Sequence, residues 1–121
     1  MNVNLEAADL HAVQAYSDNQ IQINSIVYER SLIVSKEEII SDLKIKNIQE
    51  IDEQYINLLI QFKPEIIIIG HKHTGKLMPM SIMNQLLQQR IGVESMSLGA
   101  ACRTYNVLLS EHRAVVASFI L

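Results

Sequence analysis

The sequence predicts an α/β fold, a sheet with helices on at least one face that is extended at its amino-terminal side by a β meander. Three observations predict it. Short apolar stretches bounded by turn residues fill the first third of the chain. The carboxy-terminal half alternates short apolar runs with stretches of helical spacing. Hydrophobic residues make up 49% of the 121 residues, so a single domain over residues 1–121 has enough apolar side chains for a core.

The amino-terminal meander is predicted from three stretches. They are LHAVQAYS (10–17), IQINSIVYE (21–29) and LIVS (32–35). In the second stretch, Ile21 and Ile23 alternate with polar residues, as in a half-buried strand. Residues 35–50 predict a short irregular strand within a loop.

The carboxy-terminal half reads as strand, helix, strand, helix and strand, preceded by a helix that opens at Asp52 and ends before Pro64. EIIIIG (65–70) predicts a strand buried on both faces. A helix from Pro79 to about Gly92 is expected to bury four apolar residues: Ile82, Met83, Leu86 and Leu87.

The remaining elements are a second buried strand, GVESM (92–96), a helix from Ser97 to about Glu111, and the closing strand RAVVASFIL (113–121). The first strand–helix–strand crossover should be parallel and right-handed. The direction of the last strand is left open.

Composition excludes several functional classes. The net charge of −3 comes from scattered acids and bases, whereas a nucleic-acid binder shows a basic stripe. The single Cys102 excludes an intrachain disulfide and fits a reducing compartment. The amino terminus shows no secretory signal, and the longest aliphatic run, Ile66–Ile69, is too short to span a bilayer. We therefore predict a cytoplasmic protein with no nucleic-acid partner and no integral membrane segment.

A P-loop is suggested by Gly70, four residues, and then Gly75-Lys76. Leu77 stands where the magnesium-binding hydroxyl should be. Pro79 disfavours helical geometry at the residue before it, so the helix should begin near Pro79 and leave Gly75-Lys76 in the preceding loop. The match to a P-loop is interpreted as accidental.

Metal and nucleophile chemistry is also weakly supported. His71 and His73 could supply two ligands, but zinc needs three or four. The favoured interpretation is a pair of exposed loop histidines, and no cofactor is predicted. Ser97 is interpreted as a helix N-cap rather than a nucleophile, and Cys102 as a buried, inert thiol. No catalytic residue is predicted, and an enzymatic role is left open.

A ligand crevice is predicted where the parallel strands end, at residues 70–78 and 96–98. The helix amino termini at Pro79 and Leu98 could both offer amides to an anion there. The last helix also carries polar residues, namely Arg103, Thr104, Asn106 and Ser110, with Glu111 and Arg113 at its end. Either a solvated face or a binding group explains them.

Residues 92–121, GVESMSLGAACRTYNVLLSEHRAVVASFIL, resemble the carboxy-terminal signature of the Mth-like domain family. AYSDNQIQINSIVYERSLIV (15–34) matches the family's meander. The retained positions are Gly70, Pro79, Gly92, Glu94, Met96, Ala100, Ala101, Arg103, Thr104, Tyr105, Asn106, Glu111 and Arg113. Departures are Gly70-His71-Lys72 for Gly-Thr-Gly, Ser97-Leu98 for Asp-Thr, and Glu111-His112-Arg113 for Glu-Gly-Arg.

The resemblance implies a three-layer α/β domain whose central mixed sheet is flanked by helices, without an established reaction or cofactor. The family includes a mitochondrial complex I assembly factor and an adipogenesis-associated protein. This favours a non-enzymatic protein-binding or assembly-factor-like module. The alternative is an anion-binding protein or an enzyme with a crevice near Gly70, Ser97 and Asn106. The candidate pocket residues are Gly70, His71, Lys72, Ser97, Arg103, Thr104, Asn106 and Arg113, and a homodimer is left open.

Overall fold

The structure is a computed structural model that describes residues 11–121. Two sheets are present in this part of the chain. A small antiparallel sheet contains β1 (Ala15–Tyr16), β2 (Ile21–Ile23) and β3 (Ile26–Tyr28). The main sheet has the order β5-β4-β8-β6-β7. Its strands are β4 (Ser31–Val34), β5 (Ile39–Leu43), β6 (Ile66–His71), β7 (Gly92–Ser97) and β8 (Val115–Phe119).

Three α-helices connect the strands of the main sheet: α1 (Glu53–Ile60), α2 (Met80–Gln88) and α3 (Leu98–Ser110). A 3₁₀ turn at Ile48–Glu50 precedes α1. The side chain of Asp52 caps α1 by accepting a hydrogen bond from the Tyr55 amide at 2.9 Å. Helix α1 ends before Pro64, and the sequence thus predicted both ends of this helix.

The main sheet is mixed, because β6 pairs in parallel with both β7 and β8 while β4 pairs antiparallel with β8 and β5. The last strand therefore lies at the centre of the sheet, parallel to β6. One face packs on α1 and α2 through residues such as Ile67 and Ile69. The other face packs on α3 and β2 through Ile68 and Phe119. The predicted three-layer α/β architecture with an amino-terminal meander is confirmed.

The strands that form the meander differ from those predicted. IQINSIVYE is not one strand, because Asn24 and Ser25 adopt positive φ angles of 52° and 66° and turn the chain back on itself. This is the geometry of a tight hairpin turn. LIVS is not part of the small sheet either, since residues 32–34 belong to β4 of the main sheet. The irregular strand predicted within residues 35–50 is β5, and its pairing with β4 has a register shift.

Two predicted burials are wrong. GVESM forms β7, but this strand lies at the edge of the main sheet and is largely exposed. Its apolar residues were too few to distinguish an edge strand from a central one. Leu87 on α2 is also exposed, while Ile82 and Leu86 are buried and Met83 is partly buried. The nine-residue helix therefore buries a narrower apolar stripe than its sequence suggests.

The loop before α2 does not have the geometry of a P-loop. Pro79 is the N-cap and the first helical residue is Met80. The helix therefore begins one residue later than predicted. The Lys76 amide donates to the His73 carbonyl at 2.8 Å in a turn. Gly75 and Lys76 thus lie outside the helix, as the sequence predicted, and their amides do not form a phosphate cradle at its first turn.

Candidate functional site

A crevice of about 490 Å³ opens at the carboxyl ends of β6 and β7. Three segments line it: residues 16–18 at the end of β1 and just after it, His71 at the end of β6 with Lys72 and Thr74 beyond it, and residues 97–99 at the start of α3. Such a volume suits a small ligand. The crevice lies where the sequence predicted it, but the start of α2 does not line it.

Gly70 precedes the crevice residue His71 in β6 and has a packing role. A Cβ atom at this position would lie 2.6 Å from the Ala101 Cβ and 3.2 Å from the Phe119 Cδ1. Real Cβ atoms do not approach neighbours at 2.6 Å, so any larger residue would push α3 away from β6. Gly70 therefore sets the distance between the helix and the sheet.

His71 is the last residue of β6 and is only 2% exposed, so the prediction of an exposed loop histidine is wrong here. The prediction ended the strand one residue too early. Its Nδ1 atom is buried and has no hydrogen-bond partner among residues 11–121. Burial and, to a lesser degree, the charge of His73 lower the pKa of His71.

The other buried polar side chains show how unusual His71 is. Ser31 Oγ donates to the Ile45 carbonyl at 2.5 Å and accepts from the Leu121 amide at 2.9 Å. Ser118 Oγ is paired with the Tyr55 hydroxyl at 2.5 Å. Buried polar groups in proteins are normally paired in this way. Within the described part of the chain, only His71 has a buried side-chain polar atom without a partner.

Ser97 is the N-cap of α3, as predicted, and its Oγ accepts from the Ala100 amide at 3.4 Å. This distance is at the long end for a hydrogen bond, so the cap is weak. No acidic side chain occupies the first turn of the 13-residue helix. The positive end of α3 therefore faces the crevice without a charged side chain of its own to balance it.

Charged side chains lie around the crevice. Lys72 and Asp18 both line it and are exposed. Arg103 lies beside it and donates to the Tyr16 hydroxyl at 2.7 Å. A Cβ atom at Gly99 would lie 3.0 Å from the Tyr16 ring and 3.3 Å from the Arg103 guanidinium. The absence of a side chain at Gly99 thus lets the arginine and the tyrosine meet over the start of α3.

Three polar side chains in the middle of α3 form hydrogen bonds with other parts of the fold. Asn106 accepts from the Val13 amide at 2.8 Å and donates to the Val13 carbonyl at 2.9 Å. Thr104 donates to the Met96 sulfur at 3.4 Å, and the Tyr105 hydroxyl donates to the His11 carbonyl at 3.1 Å. Helix propensity disfavours Thr and Asn within a helix, and these contacts explain why they are present. Asn106 bonds to both backbone groups of Val13, as a neighbouring strand would.

Arg113 lies at the far end of α3, about 20 Å from the crevice at 1.5 Å per helical residue. Its Nε donates to the Glu65 Oε1 at 2.6 Å, and the Ala114 amide donates to the same oxygen at 3.2 Å. A second depression, of about 460 Å³, is found there and is lined mostly by exposed residues. The structure therefore brings Gly70, His71, Lys72, Ser97 and Arg103 together and places Thr104, Asn106 and Arg113 elsewhere.

Tyr16 and Asp18 belong to the crevice but were absent from the predicted site. Tyr16 is the last residue of β1, within a stretch predicted only as a strand, and Asp18 lies in the connection between β1 and β2. Their position beside β6 depends on how the small sheet packs against α3. Cys102 is buried, as predicted, and burial raises the pKa of its thiol to about 12. A thiol with such a pKa is not a nucleophile at neutral pH.

A metal site can be assessed over residues 11–121. No group of three or more His, Cys, Asp or Glu residues in this range is close enough to hold a metal ion. Likewise, none of the helices in this range has the length and hydropathy needed to cross a bilayer.

An apolar surface follows, in sequence, the loop after β6 that lines the crevice. Among the described residues, the three most exposed large hydrophobic side chains are Leu77, Met80 and Leu87, at 70%, 69% and 60%. Met80 and Leu87 are seven residues apart on α2 and therefore share one helical face, and Leu77 precedes Met80 by three residues. We call these three residues the α2 surface.

The segment that contains the α2 surface is basic in sequence. Residues 66–93 contain no Asp or Glu, but include Lys72, Lys76 and Arg90. The chain as a whole carries a net charge of −3. This segment is therefore positively charged within an acidic chain.

Comparison with known proteins identifies relatives over most of the chain. The chain is 34% identical to the "13 kDa major membrane protein" of Francisella tularensis subsp. holarctica (strain LVS) over 101 residues, which cover 83% of this chain and 82% of that protein. A Xanthomonas campestris protein has the same fold, with a TM-score of 0.83, 26% identity, and coverage of 99% of this chain and 92% of that one.

A Bordetella pertussis protein described as a Mth938-like domain also has this fold, with a TM-score of 0.79 and 23% identity over 93% of this chain and 86% of that one. The resemblance to Mth-like domains is thus confirmed. The model of the family described as "Protein of unknown function (DUF498/DUF598)" matches residues 13–120. This chain belongs to the DUF498/DUF598 family.

Proposed function

We propose that this protein is a non-enzymatic binding module that recruits a protein partner through the α2 surface. The observation that supports the proposal is the concentration of Leu77, Met80 and Leu87 within eleven residues, since these are the three most exposed large hydrophobic side chains of the described chain. Exposed apolar residues that cluster and are rimmed by polar groups mark interaction sites. The proposal includes the predicted cytoplasmic location, in which such a module would act on another protein's assembly.

The apolar area supplies a suitable centre for an interface. Burying one Leu or Met side chain contributes about 1.5–3 kcal/mol, so three of them offset a large part of the entropy lost on association. The flanking Lys72 and Lys76 add complementarity to an acidic rim. The partner chemistry that fits is an apolar segment flanked by acidic residues.

Charge argues against a second copy of the chain, and the narrow apolar face of α2 argues against a bilayer. In a two-fold homodimer through the α2 surface, the lysines of both copies would face one another and repel. A bilayer would meet a short helix whose outer face also carries Ser81 and Asn84, both exposed. Membrane-surface helices present a broad apolar face, with aromatic residues. An acidic protein segment therefore fits better than a second copy or a lipid surface.

The experiment compares three proteins as bait in cross-linking capture from extract of the source cells. They are the wild type, the double variant Leu77→Ser/Met80→Ser, and the control Val107→Ser, which removes an exposed apolar side chain on α3. We expect the wild type and the control to recover the same protein, cross-linked at Lys72 or Lys76 to an acidic apolar segment. The double variant should lose at least about tenfold of it.

Recovery of no reproducible partner, or equal recovery by the double variant, would contradict the proposal. Two further measurements identify the competing occupants. Cosedimentation with anionic phospholipid vesicles that depends on Leu77 and Met80 would assign the surface to a membrane. A concentration-dependent dimer that the double variant abolishes would assign it to a second copy of the chain.

A further inference from the structure

One residue that lines the crevice has a buried polar atom without a partner in the described part of the chain. His71 is 2% exposed and lines the crevice, and its Nδ1 has no partner among residues 11–121. A buried nitrogen without a hydrogen bond costs free energy. Only a ligand whose hydrogen bond reaches Nδ1 itself would recover that cost.

The electrostatics of the crevice select the charge of such a ligand. The amino terminus of α3 points its partial positive charge toward residues 97–99, and no acidic side chain in the first turn balances it. Ser97 occupies only the Ala100 amide, at 3.4 Å. Lys72 adds a full positive charge at the same rim. Each of these groups favours an anion.

Asp18 is the opposing charge in the crevice. It lies on the turn between β1 and β2, across from the residues that follow β6. Its carboxylate is exposed and therefore screened by solvent. Asp18 should weaken anion binding without preventing it, which makes it a diagnostic residue.

We propose that this crevice binds a small oxyanion, a phosphate or carboxylate group, held by the His71 imidazole, the Lys72 ammonium and the first-turn amides of α3. A phosphate and a carboxylate share the chemistry that these groups recognise, namely negatively charged oxygen atoms that accept hydrogen bonds. The site does not depend on the α2 surface, because none of Leu77, Met80 and Leu87 lines the crevice.

Isothermal titration calorimetry with inorganic phosphate, and separately with acetate, tests the proposal on the full chain. We expect saturable binding of at least one of the two, and the preferred anion distinguishes a phosphoryl group from a carboxylate as the natural source. His71→Gln should weaken binding about tenfold or more, because a hydrogen bond to a charged group is lost. Lys72→Gln should weaken it about twofold to fivefold.

Asp18→Asn should act in the opposite direction and tighten binding by about twofold to fivefold. Lys36→Gln is the matched control, because Lys36 is an exposed lysine in the depression at the far end of the sheet. It should bind like the wild type. If His71→Gln does not fold, Lys72→Gln and Asp18→Asn still decide the matter, since both side chains are exposed.

Absence of binding to either anion at about 10 mM, a level far weaker than metabolite sites require, would overturn the proposal. Equal affinities of wild type, Lys72→Gln and Asp18→Asn would also overturn it, because the anion would then be bound elsewhere on the protein.

Discussion

The surroundings of the two ends of α3 differ in whether their polar side chains have hydrogen-bond partners. At the carboxyl end, Arg113 and Glu65 are half-exposed and joined at 2.6 Å, and Glu65 also accepts from the Ala114 amide. At the amino end, His71 is buried and its Nδ1 has no partner among the described residues. Polar groups that pair with one another stabilise a fold, whereas one that is buried and unpaired indicates a place for a ligand.

Membership of the family signature therefore does not show that a residue binds a ligand. Arg113 and Asn106 belong to the same family signature as Arg103, and all three were candidate pocket residues. In the structure, Asn106 holds residue 13 and Arg113 holds Glu65, while Arg103 alone reaches the edge of the crevice through Tyr16. Three further predictions sharpen this contrast between structural and available polar groups.

The largest effect is expected at Gly70. Gly70→Ala would place a methyl group 2.6 Å from the Ala101 Cβ, and overpacking of this kind costs about 1–3 kcal/mol or more in the free energy of unfolding. Urea denaturation measures it. Gly75→Ala is the control, because nothing lies within 4 Å of a Cβ there.

Adding Ala101→Gly to Gly70→Ala should recover part of the lost stability, beyond the sum of the two single substitutions. Equal stabilities of Gly70→Ala and Gly75→Ala would show that α3 can move away from β6 at no cost. The geometry of the crevice would then not be fixed by this contact.

The second effect concerns the middle of α3. Asn106→Ala removes two hydrogen bonds to Val13 and should lower the free energy of unfolding by about 1–3 kcal/mol. Asn84→Ala on α2 is the control, because Asn84 is exposed. Hydrogen exchange of the Val13 amide should accelerate in Asn106→Ala only. If anion binding fell and stability did not, Asn106 would belong to the crevice rather than to the fold.

The smallest effect is expected at the carboxyl end. The hydrogen bond from Arg113, and then that from the Ala114 amide, lower the pKa of Glu65 below its ordinary value. A carboxyl whose pKa is lower in the folded state stabilises the protein above its usual pKa, and this stabilisation disappears as the pH falls through the lowered value.

Glu65→Gln should therefore be slightly less stable than wild type at pH 7, and the difference should vanish in acid. Denaturation profiles between about pH 3 and pH 7 measure this. The difference should be small because both side chains are exposed to solvent. A difference that is independent of pH would show that charge plays no part in this contact.

The sequence predicted most of the architecture, because apolar spacing and capping residues are local signals. Asp52 and Ser97 marked helix starts, and Pro79 marked the loop before α2. The hairpin turn at Asn24-Ser25 was missed, since neither residue is glycine and the flanking residues continue the alternation. The edge position of β7 was missed because strand order depends on which strands pair, and β8, the last strand, occupies the centre.

Only part of the crevice could be predicted from the sequence. The loops after β6 and β7 follow from a parallel crossover, so Lys72 and Ser97 could be placed there from sequence. Tyr16 and Asp18 could not, because the small sheet reaches the crevice only through tertiary packing. The burial of His71 was also hidden, since no sequence signal showed that β6 extends one residue beyond Gly70.

The most direct test of the crevice follows the ring nitrogens of His71 by nuclear magnetic resonance while inorganic phosphate and acetate are added in turn. His112, exposed at the far end of α3, is the internal control. We predict that at least one of the two anions shifts the His71 resonances saturably while those of His112 stay in place. Unchanged His71 resonances with both anions, or equal shifts at both histidines, would contradict the account.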